Sequence, residues 1–289
     1  MVELSGKEVR GRLEMIKRVR EEEKKARERL SKIKHKIAII SGKGGVGKSF
    51  VSASLGVALS QLGRRVGILD ADFHGPSIPK ILGVENMHMV SGPSGVLPVM
   101  APYGIKVVSI EFMLPSHDTP VIWRGPLKAG ALRQLLSMVD WGELDYLVVD
   151  LPPGTGDEPL SVAQLINDLS GAIVVTIPSD LSRVVVEKAV VFARQIKVRV
   201  LGIVENMSYF VCPSCGAKYK IFGEGAGRKI AEEMGVDFLG SIPIDPRISE
   251  CVDRGEPFIA RYPETETAKA IMEIAKKMIE KVETSDYGS

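Results

Sequence analysis

The nine residues from Ser41 to Ser49, Ser-Gly-Lys-Gly-Gly-Val-Gly-Lys-Ser, limit what this chain can fold into more than any other stretch. An apolar segment of strand length, Lys36 to Ile40, leads into them, and a helical pattern, Lys48 to Leu62, leads out. Gly42, Gly47, Lys48 and Ser49 stand at the spacing of a phosphate-binding loop. Glycines let the backbone curl so that its N–H groups face inward, and the N-terminus of the following helix adds positive potential. Nucleotide phosphates then meet donors, so the run Gly42, Lys43, Gly44, Gly45, Val46, Gly47, Lys48, Ser49 and Phe50 is the expected nucleotide-binding segment. Lys48 is expected to reach the β- and γ-phosphates and the Ser49 hydroxyl to ligate Mg²⁺.

The rest of the chain repeats that strand–helix alternation. Strands are expected at Arg65 to Asp70, Ile105 to Ile110, Tyr146 to Asp150, Ala172 to Thr176, Val200 to Glu205 and Phe238 to Ser241. Helices are expected at Leu127 to Val139, Glu158 to Leu169, Ser182 to Gln195, Gly225 to Met234 and Glu266 to Val282. Such alternation predicts an α/β fold with a doubly wound, mostly parallel sheet covered on both faces. No linker rich in Pro, Gly or Ser divides it, so residues 36–289 read as one domain, with a surface hairpin over Met87 to Tyr103. Residues 1–35 read as a charged helical extension, because Glu8 to Lys34 lacks proline and places Val9, Leu13, Ile16, Leu30 and Ile33 roughly on one face. Its middle, Glu21 to Arg29, is laced with opposite charges at helical spacing, which predicts a solvated helix.

Charge follows the same division. The whole chain of 289 residues carries a formal +2, but residues 1–36 hold 13 Lys and Arg against 7 Glu. A basic arm thus precedes a mildly acidic body, and nucleic acid is not the expected partner. No long apolar run is present for a membrane span, and no stable membrane association is expected. The 3 cysteines, Cys212, Cys215 and Cys251, are too few for a disulfide framework, so the expected compartment is the cytoplasm.

Carboxylates stand where a phosphate site needs them. Asp70 and Asp72 follow the second strand and Asp150 ends the strand Tyr146 to Asp150, at the sheet edge where open α/β folds bind ligands. Asp150 suits an Mg²⁺-holding role, with Asp70 and Ser49 in the same expected metal set. The segment Leu151 to Asp157 can form a loop whose backbone senses the γ-phosphate. Further along, Cys212-Pro213-Ser214-Cys215-Gly216 favours a tight turn with two thiolates pointing the same way, within a metal-binding insertion near 208–222. One chain supplies no obvious third and fourth ligand. Two such turns meeting at a two-fold axis supply four thiolates, enough for a [4Fe-4S] cluster or for zinc, with a redox dithiol or inert thiols as the remaining reading. Cys251 falls in a short helix as a small apolar residue.

Five blocks carry a resemblance: Ser41 to Ser49, Asp70 to Pro79, Trp123 to Pro126, Asp150 to Asp157, and Glu205 to Cys215. With them the chain resembles the Mrp family of P-loop ATPases, the ApbC- or NBP-type iron–sulfur cluster carriers related to MinD and the nitrogenase iron protein. The resemblance implies a homodimer or related heterodimer that binds ATP and holds a labile [4Fe-4S] cluster between paired Cys-x-x-Cys motifs, and slow Mg²⁺-dependent hydrolysis is expected because the loop, Asp72 and Asp150 form a complete set with no separate general base evident. It implies a cluster-assembly scaffold as donor and apo iron–sulfur proteins as recipients. It makes Lys43 the signature lysine that reaches the partner's nucleotide, places Asp72 where relatives orient the attacking water, and puts Asn206 where relatives hydrogen-bond adenine. The four-cysteine N-terminal cluster of some members is not expected, since residues 1–36 hold no cysteine. Two rival classes share the loop: a MinD- or ParA-like positioning ATPase with a membrane-binding last helix or a DNA-binding surface, and an ATPase dimer stapled by zinc.

Overall fold

The computed structural model describes residues 6–73, 75–113, 125–179, 182–212, 214–223 and 225–284. His74, Trp123, Arg124 and Pro213, which belong to the motifs above, lie outside the described residues. The strands are β1 Ile33–Ile40, β2 Val66–Asp70, β3 Val90–Gly92, β4 Gly95–Leu97, β5 Val99–Ala101, β6 Ile105–Ser109, β7 Leu144–Asp150, β8 Gly171–Thr176, β9 Val200–Val211, β10 Lys218–Tyr219 and β11 Phe238–Ile244. The helices are α1 Gly6–Leu30, α2 Lys48–Gln61, α3 Ile78–Ile81, α4 Gly125–Met138, α5 Asp157–Ile166, α6 Ser182–Gln195, α7 Ala226–Met234, α8 Arg247–Arg254, α9 Phe258–Arg261 and α10 Glu266–Glu283.

One sheet runs β10-β9-β8-β1-β7-β2-β6-β5, with β11 also paired to β9. Its inner pairings are parallel, and among the described residues only β5 on β6 and β10 on β9 are antiparallel. A parallel sheet must be covered on both faces, which is why β7 and β8 read as near-continuous runs of Val, Leu and Ile. The period-2 pleat deals successive residues to opposite layers. Ile37 and Ile39 of β1 enter the layer that holds Val51 and Leu55 of α2 and Ile271, Ile274 and Met278 of α10. Ala38 and Ile40 enter the layer built by α4, α5, α6 and α7. After β7 the chain crosses β1 to lay down β8, so the sheet order reverses beside β1 and opens a crevice at the strand ends there.

The expected hairpin over Met87 to Tyr103 contains the β3–β4 pair, and β5 then rejoins the main sheet. In α10, Ile271, Ile274, Ala275, Met278 and Val282 are all buried in the core, so its apolar stripe is spent on its own sheet. Among the described residues no helix is long and apolar enough to cross a membrane.

The N-terminal boundary differs from the expectation. The helix stops at Leu30 and β1 starts at Ile33 rather than Lys36, because Ile33 and His35 pair in register with Leu144 and Tyr146 of β7. Lys32, Lys34 and Lys36 had masked that strand's start. Lys36 is buried and its Nζ donates to the Leu30 and Ile33 carbonyls at 3.4 and 3.3 Å, closing the C-terminus of α1. Burial pushes this lysine below its usual pKa, with Asp168 pulling the other way. The helix is also not simply solvated. Ala26 and Leu30 are buried in the α4 layer, Arg29 Nε donates to the Ser137 carbonyl at 2.8 Å, and Glu22 pairs with Arg133 at 3.4 Å. Of the expected apolar face, Leu13 and Ile16 are exposed and only Leu30 and Ile33 are buried, while the Val9 side chain lies outside the described set.

Leu30 is the anchor of that docking. Leu30→Ala is expected to lower the unfolding free energy by about 2–5 kcal/mol, seen as a lower denaturant midpoint at unchanged slope. An unchanged midpoint would mean that α1 contributes nothing to the core.

Candidate functional site

The loop after β1 converges on Asp150. Lys48 Nζ lies 2.8 Å from Asp150 Oδ1, Ser49 Oγ donates to Oδ2 at 2.6 Å, and Ser52 Oγ donates to Oδ1 at 2.6 Å. Lys48 and Asp150 are both buried, so their attraction is little screened. Lys48 Nζ makes that ion pair without an aligned hydrogen bond, leaving a buried ammonium whose donors suit phosphate oxygens. Gly47 supplies the turn into α2 with φ 78°, and no side chain caps the first turn. The loop and the start of α2 border a hollow of about 270 Å³ lined also by Phe50 and Asp72, with Lys43, Gly44 and Gly45 on its loop side. Phe50 is half-buried against Phe258, with ring centroids 6.3 Å apart.

The carboxylates behind the loop are not equivalent. Asp70 is the register partner of Asp150, so two acidic groups end neighbouring strands. Burial pushes Asp70 well above the usual carboxylate range and the Asp150 charge adds to it. Crowded, buried carboxylates beside a serine hydroxyl fit a divalent cation, which would relieve their repulsion. Asp70, however, already accepts N–H bonds from Asp72 at 3.2 Å, Ser77 at 3.1 Å and Ile78 at 3.2 Å. Its two oxygens hold the loop after β2 in place, whereas Asp72 is half-buried on the hollow itself. The loop after β7 is stitched to the same floor, with Gly154 N–H donating to the Ser41 carbonyl at 2.8 Å.

β9 reaches the site from the other side and runs well past the expected Glu205. Asn206 Nδ2 donates to the Val46 carbonyl at 2.9 Å, bracing the phosphate loop from beneath. That bond uses one of the amide's two N–H donors, and reading an adenine edge would take the other together with Oδ1. β9 then bends. Asn206 faces Ile242 of β11 but Phe210 faces Ile244, so β9 carries extra residues across this step. Met207 takes φ 56°, a left-handed backbone that non-glycine residues seldom adopt, and Ser208 Oγ donates to the Ile242 carbonyl at 3.0 Å.

Beyond the bend lies the cysteine turn. Phe210 and Val211 pair with Tyr219 and Lys218 of β10, and between them Cys212 N–H donates to the Ala217 carbonyl at 2.9 Å while Gly216 N–H donates to the Cys212 carbonyl at 2.9 Å. Backbone N–H groups of Ser214 and then Cys215 draw the Cys212 thiol below its usual pKa. Cys215 is exposed and Cys212 half-buried, and Tyr219, Ile221 and Phe222 stand exposed nearby. Among the described residues no group of three or more His, Cys, Asp or Glu could hold a metal ion. Cys251 is apart from this turn, buried in α8, its thiol pushed up by burial.

This geometry has counterparts. A family model described as the NUBPL iron-transfer P-loop NTPase, of the ParA group, matches residues 32–279. The chain belongs to that family. Among curated relatives of this iron-transfer NTPase, the iron–sulfur cluster carrier protein of Saccharolobus solfataricus is 55% identical over 261 residues, covering 90% of this chain and 88% of the relative. That of Methanocaldococcus jannaschii is 51% identical over 263 residues, covering 91% and 90%. A solved nucleotide-binding protein from Archaeoglobus fulgidus, in complex with ADP, superposes with a TM-score of 0.74 at 47% identity, covering 81% of this chain and 92% of its own. The cell-division ATPase MinD of Pyrococcus furiosus shares the fold, with a TM-score of 0.64 at 24% identity and coverage of 85% and 98%.

Sequence reading did not single out Ser52 or the brace from Asn206 to Val46 in this NTPase. Ser52 did carry a signal: it stands one turn after Lys48 on an otherwise apolar helix face, where a buried hydroxyl needs a partner. The brace carried none, because its two ends are 160 residues apart. A Cβ at Gly47 would collide with Asn206 Nδ2, and the backbone there is left-handed as well. Gly47→Ala is therefore expected to break the brace and weaken binding of a fluorescent ATP analogue at least tenfold, with the chain still folded. Retained affinity would mean that the loop tolerates another shape.

Proposed function

We propose that this chain is an ATP-dependent iron–sulfur cluster carrier that works as a homodimer, with a [4Fe-4S] cluster as its cargo between the Cys212/Cys215 pairs of two copies. The observation that carries the reading is the cysteine hairpin: an exposed Cys215 and a half-buried Cys212 share one turn on the body of an iron-transfer NTPase, with no group of three or more metal-ligating side chains there among the described residues. Ligand arithmetic then calls for a second chain, because a cubane cluster takes four thiolates. The names of the Saccharolobus and Methanocaldococcus relatives point the same way.

Where Asn206 meets the phosphate loop, Lys48 and the loop N–H groups bind the nucleotide phosphates. Ser49 and Asp150 are the residues that would hold Mg²⁺, whose charge neutralises the phosphates. Asp70 stiffens the loop that presents Asp72, and Asp72 orients the attacking water. Lys43 reaches across the dimer to the partner's nucleotide and stabilises charge on the transferring phosphoryl group. The recipients are apo iron–sulfur proteins and the donor a cluster-assembly scaffold. Zinc in place of the cluster is the alternative that the same hairpin chemistry permits, and metal analysis separates the two.

Anaerobic reconstitution with iron and sulfide tests the cargo. Wild type is expected to bind close to one cluster per dimer, Cys212→Ser or Cys215→Ser to bind none, and Cys251→Ser to bind as wild type does. Zinc uptake without iron and sulfide, or a full cluster in Cys212→Ser, would end the carrier reading. The nucleotide site is tested by two lysines. Lys48→Ala is expected to lose ATP binding, because it removes a charge-assisted phosphate contact and leaves Asp150 buried without its cation. Lys43→Ala is expected to keep most ATP affinity and lose hydrolysis, since a contact made across the closed dimer matters chiefly in the transition state. Equal loss of both in Lys43→Ala would place that lysine's action within its own subunit.

A further inference from the structure

The two halves of β9 are held very differently. Upstream of Met207 the strand lies between β8 and β11, with pairing to β8 ending at Glu205. Downstream, the Phe210–Ile244 step and the short β10 are its only strand partners among the described residues. Met207 itself sits in a left-handed conformation at the bend. A hairpin tied this lightly opens locally far more easily than the sheet it grows from.

Three side chains supply a counter-anchor. Glu266, in the first turn of α10, accepts a hydrogen bond from the Tyr209 hydroxyl at 2.9 Å and one from Lys218 Nζ at 3.0 Å, both on Oε2. Lys218 Nζ also stands 4.6 Å from the centroid of the Tyr209 ring, within cation–π range. Tyr209 precedes Cys212 on one arm of the hairpin and Lys218 follows Cys215 on the other, so one carboxylate holds both arms. Lys218 first and Tyr209 second keep Glu266 below the usual carboxylate range, hence ionised. The anchor is firm, because the buried stripe of α10 fixes it to the core.

We propose that Glu266 is a positioning residue for the cysteine hairpin, tying both of its arms to the rigid body so that Cys212 and Cys215 are presented at a fixed height and angle to the ligand pair of a second copy. What the thiols hold rests on the carrier reading above; the clamp does not. Lys218 and Glu266 are each 52% exposed, so their pairing contributes little to global stability and acts on local opening.

Amide hydrogen exchange on the full, unloaded chain reads that opening directly. Glu266→Ala is expected to speed exchange across residues 208–220 about fivefold, near the upper range for such a pair, with β1 and β7 unchanged. Glu266→Gln, which keeps an acceptor but loses the charge, is expected to fall between. Tyr209→Phe combined with Lys218→Met approaches the same clamp from the hairpin side and is expected to match Glu266→Ala, with no further gain when all three are combined. In the reconstituted dimer, Glu266→Ala is expected to surrender iron to a chelator about fivefold faster while ATP hydrolysis is unchanged. Unaltered exchange across 208–220 in both variants overturns the proposal, as does faster exchange with an unchanged rate of iron release. A wild type that takes up no cluster, with exchange raised in the variants, removes the carrier reading and leaves the clamp standing.

Discussion

A single buried carboxylate organises the nucleotide end of this molecule. Asp150 has almost no contact with solvent, and a charge there is tolerable only because Lys48, Ser49 and Ser52 bring a cation and two hydroxyls to it. All three donors come from the first turns of α2, so the same contacts that stabilise the charge dock the helix onto β7. The glycine turn before α2 is then forced, since the chain must rise from β1 and reverse within a few residues. Loop shape, helix placement and the end of β7 are one electrostatic arrangement.

β9 extends that arrangement outward. Its Asn206 braces the phosphate loop, its next residue bends the strand, and its last residues pair with β10 to form the cysteine turn. The two chemically distinct regions of the protein are therefore joined by the second half of one strand. Each region is secured by a different neighbour, Asn206 by the loop and Tyr209 by α10.

Much of this was legible in the sequence because it is written in local terms. The glycine spacing, the lysine and serine that follow, the Asp at a strand end and the Cys-x-x-Cys turn each need only a few consecutive residues. The sheet was legible from its runs of Val and Ile. Three things were not. The start of β1 was hidden by alternating lysines, one of which turned out to be a buried cap for α1. The docking of α1 was hidden because it uses Ala26, Glu22 and Arg29 in a stretch dominated by charge. The length of β9 was hidden because its outer half is held partly by β11, distant in sequence, and partly by a two-residue β10, and the bend at Met207 lies where the register to β11 shifts rather than at any local signal. Asp70 shows the same limit within the site: its position pointed to a metal, but nothing local announced that its oxygens also accept N–H bonds from Asp72, Ser77 and Ile78.

The cysteine turn also sets a concentration scale. A centre for which each chain brings only half the ligands is assembled by a second-order encounter, so on the carrier reading its occupancy depends on how many copies are present as well as on how much iron and sulfide is available. Dilution alone would then loosen the cargo, and a recipient presenting its own pair of thiolates could replace one copy at the centre without a separate opening step. Storage and hand-over would differ only in which surface supplies the other half.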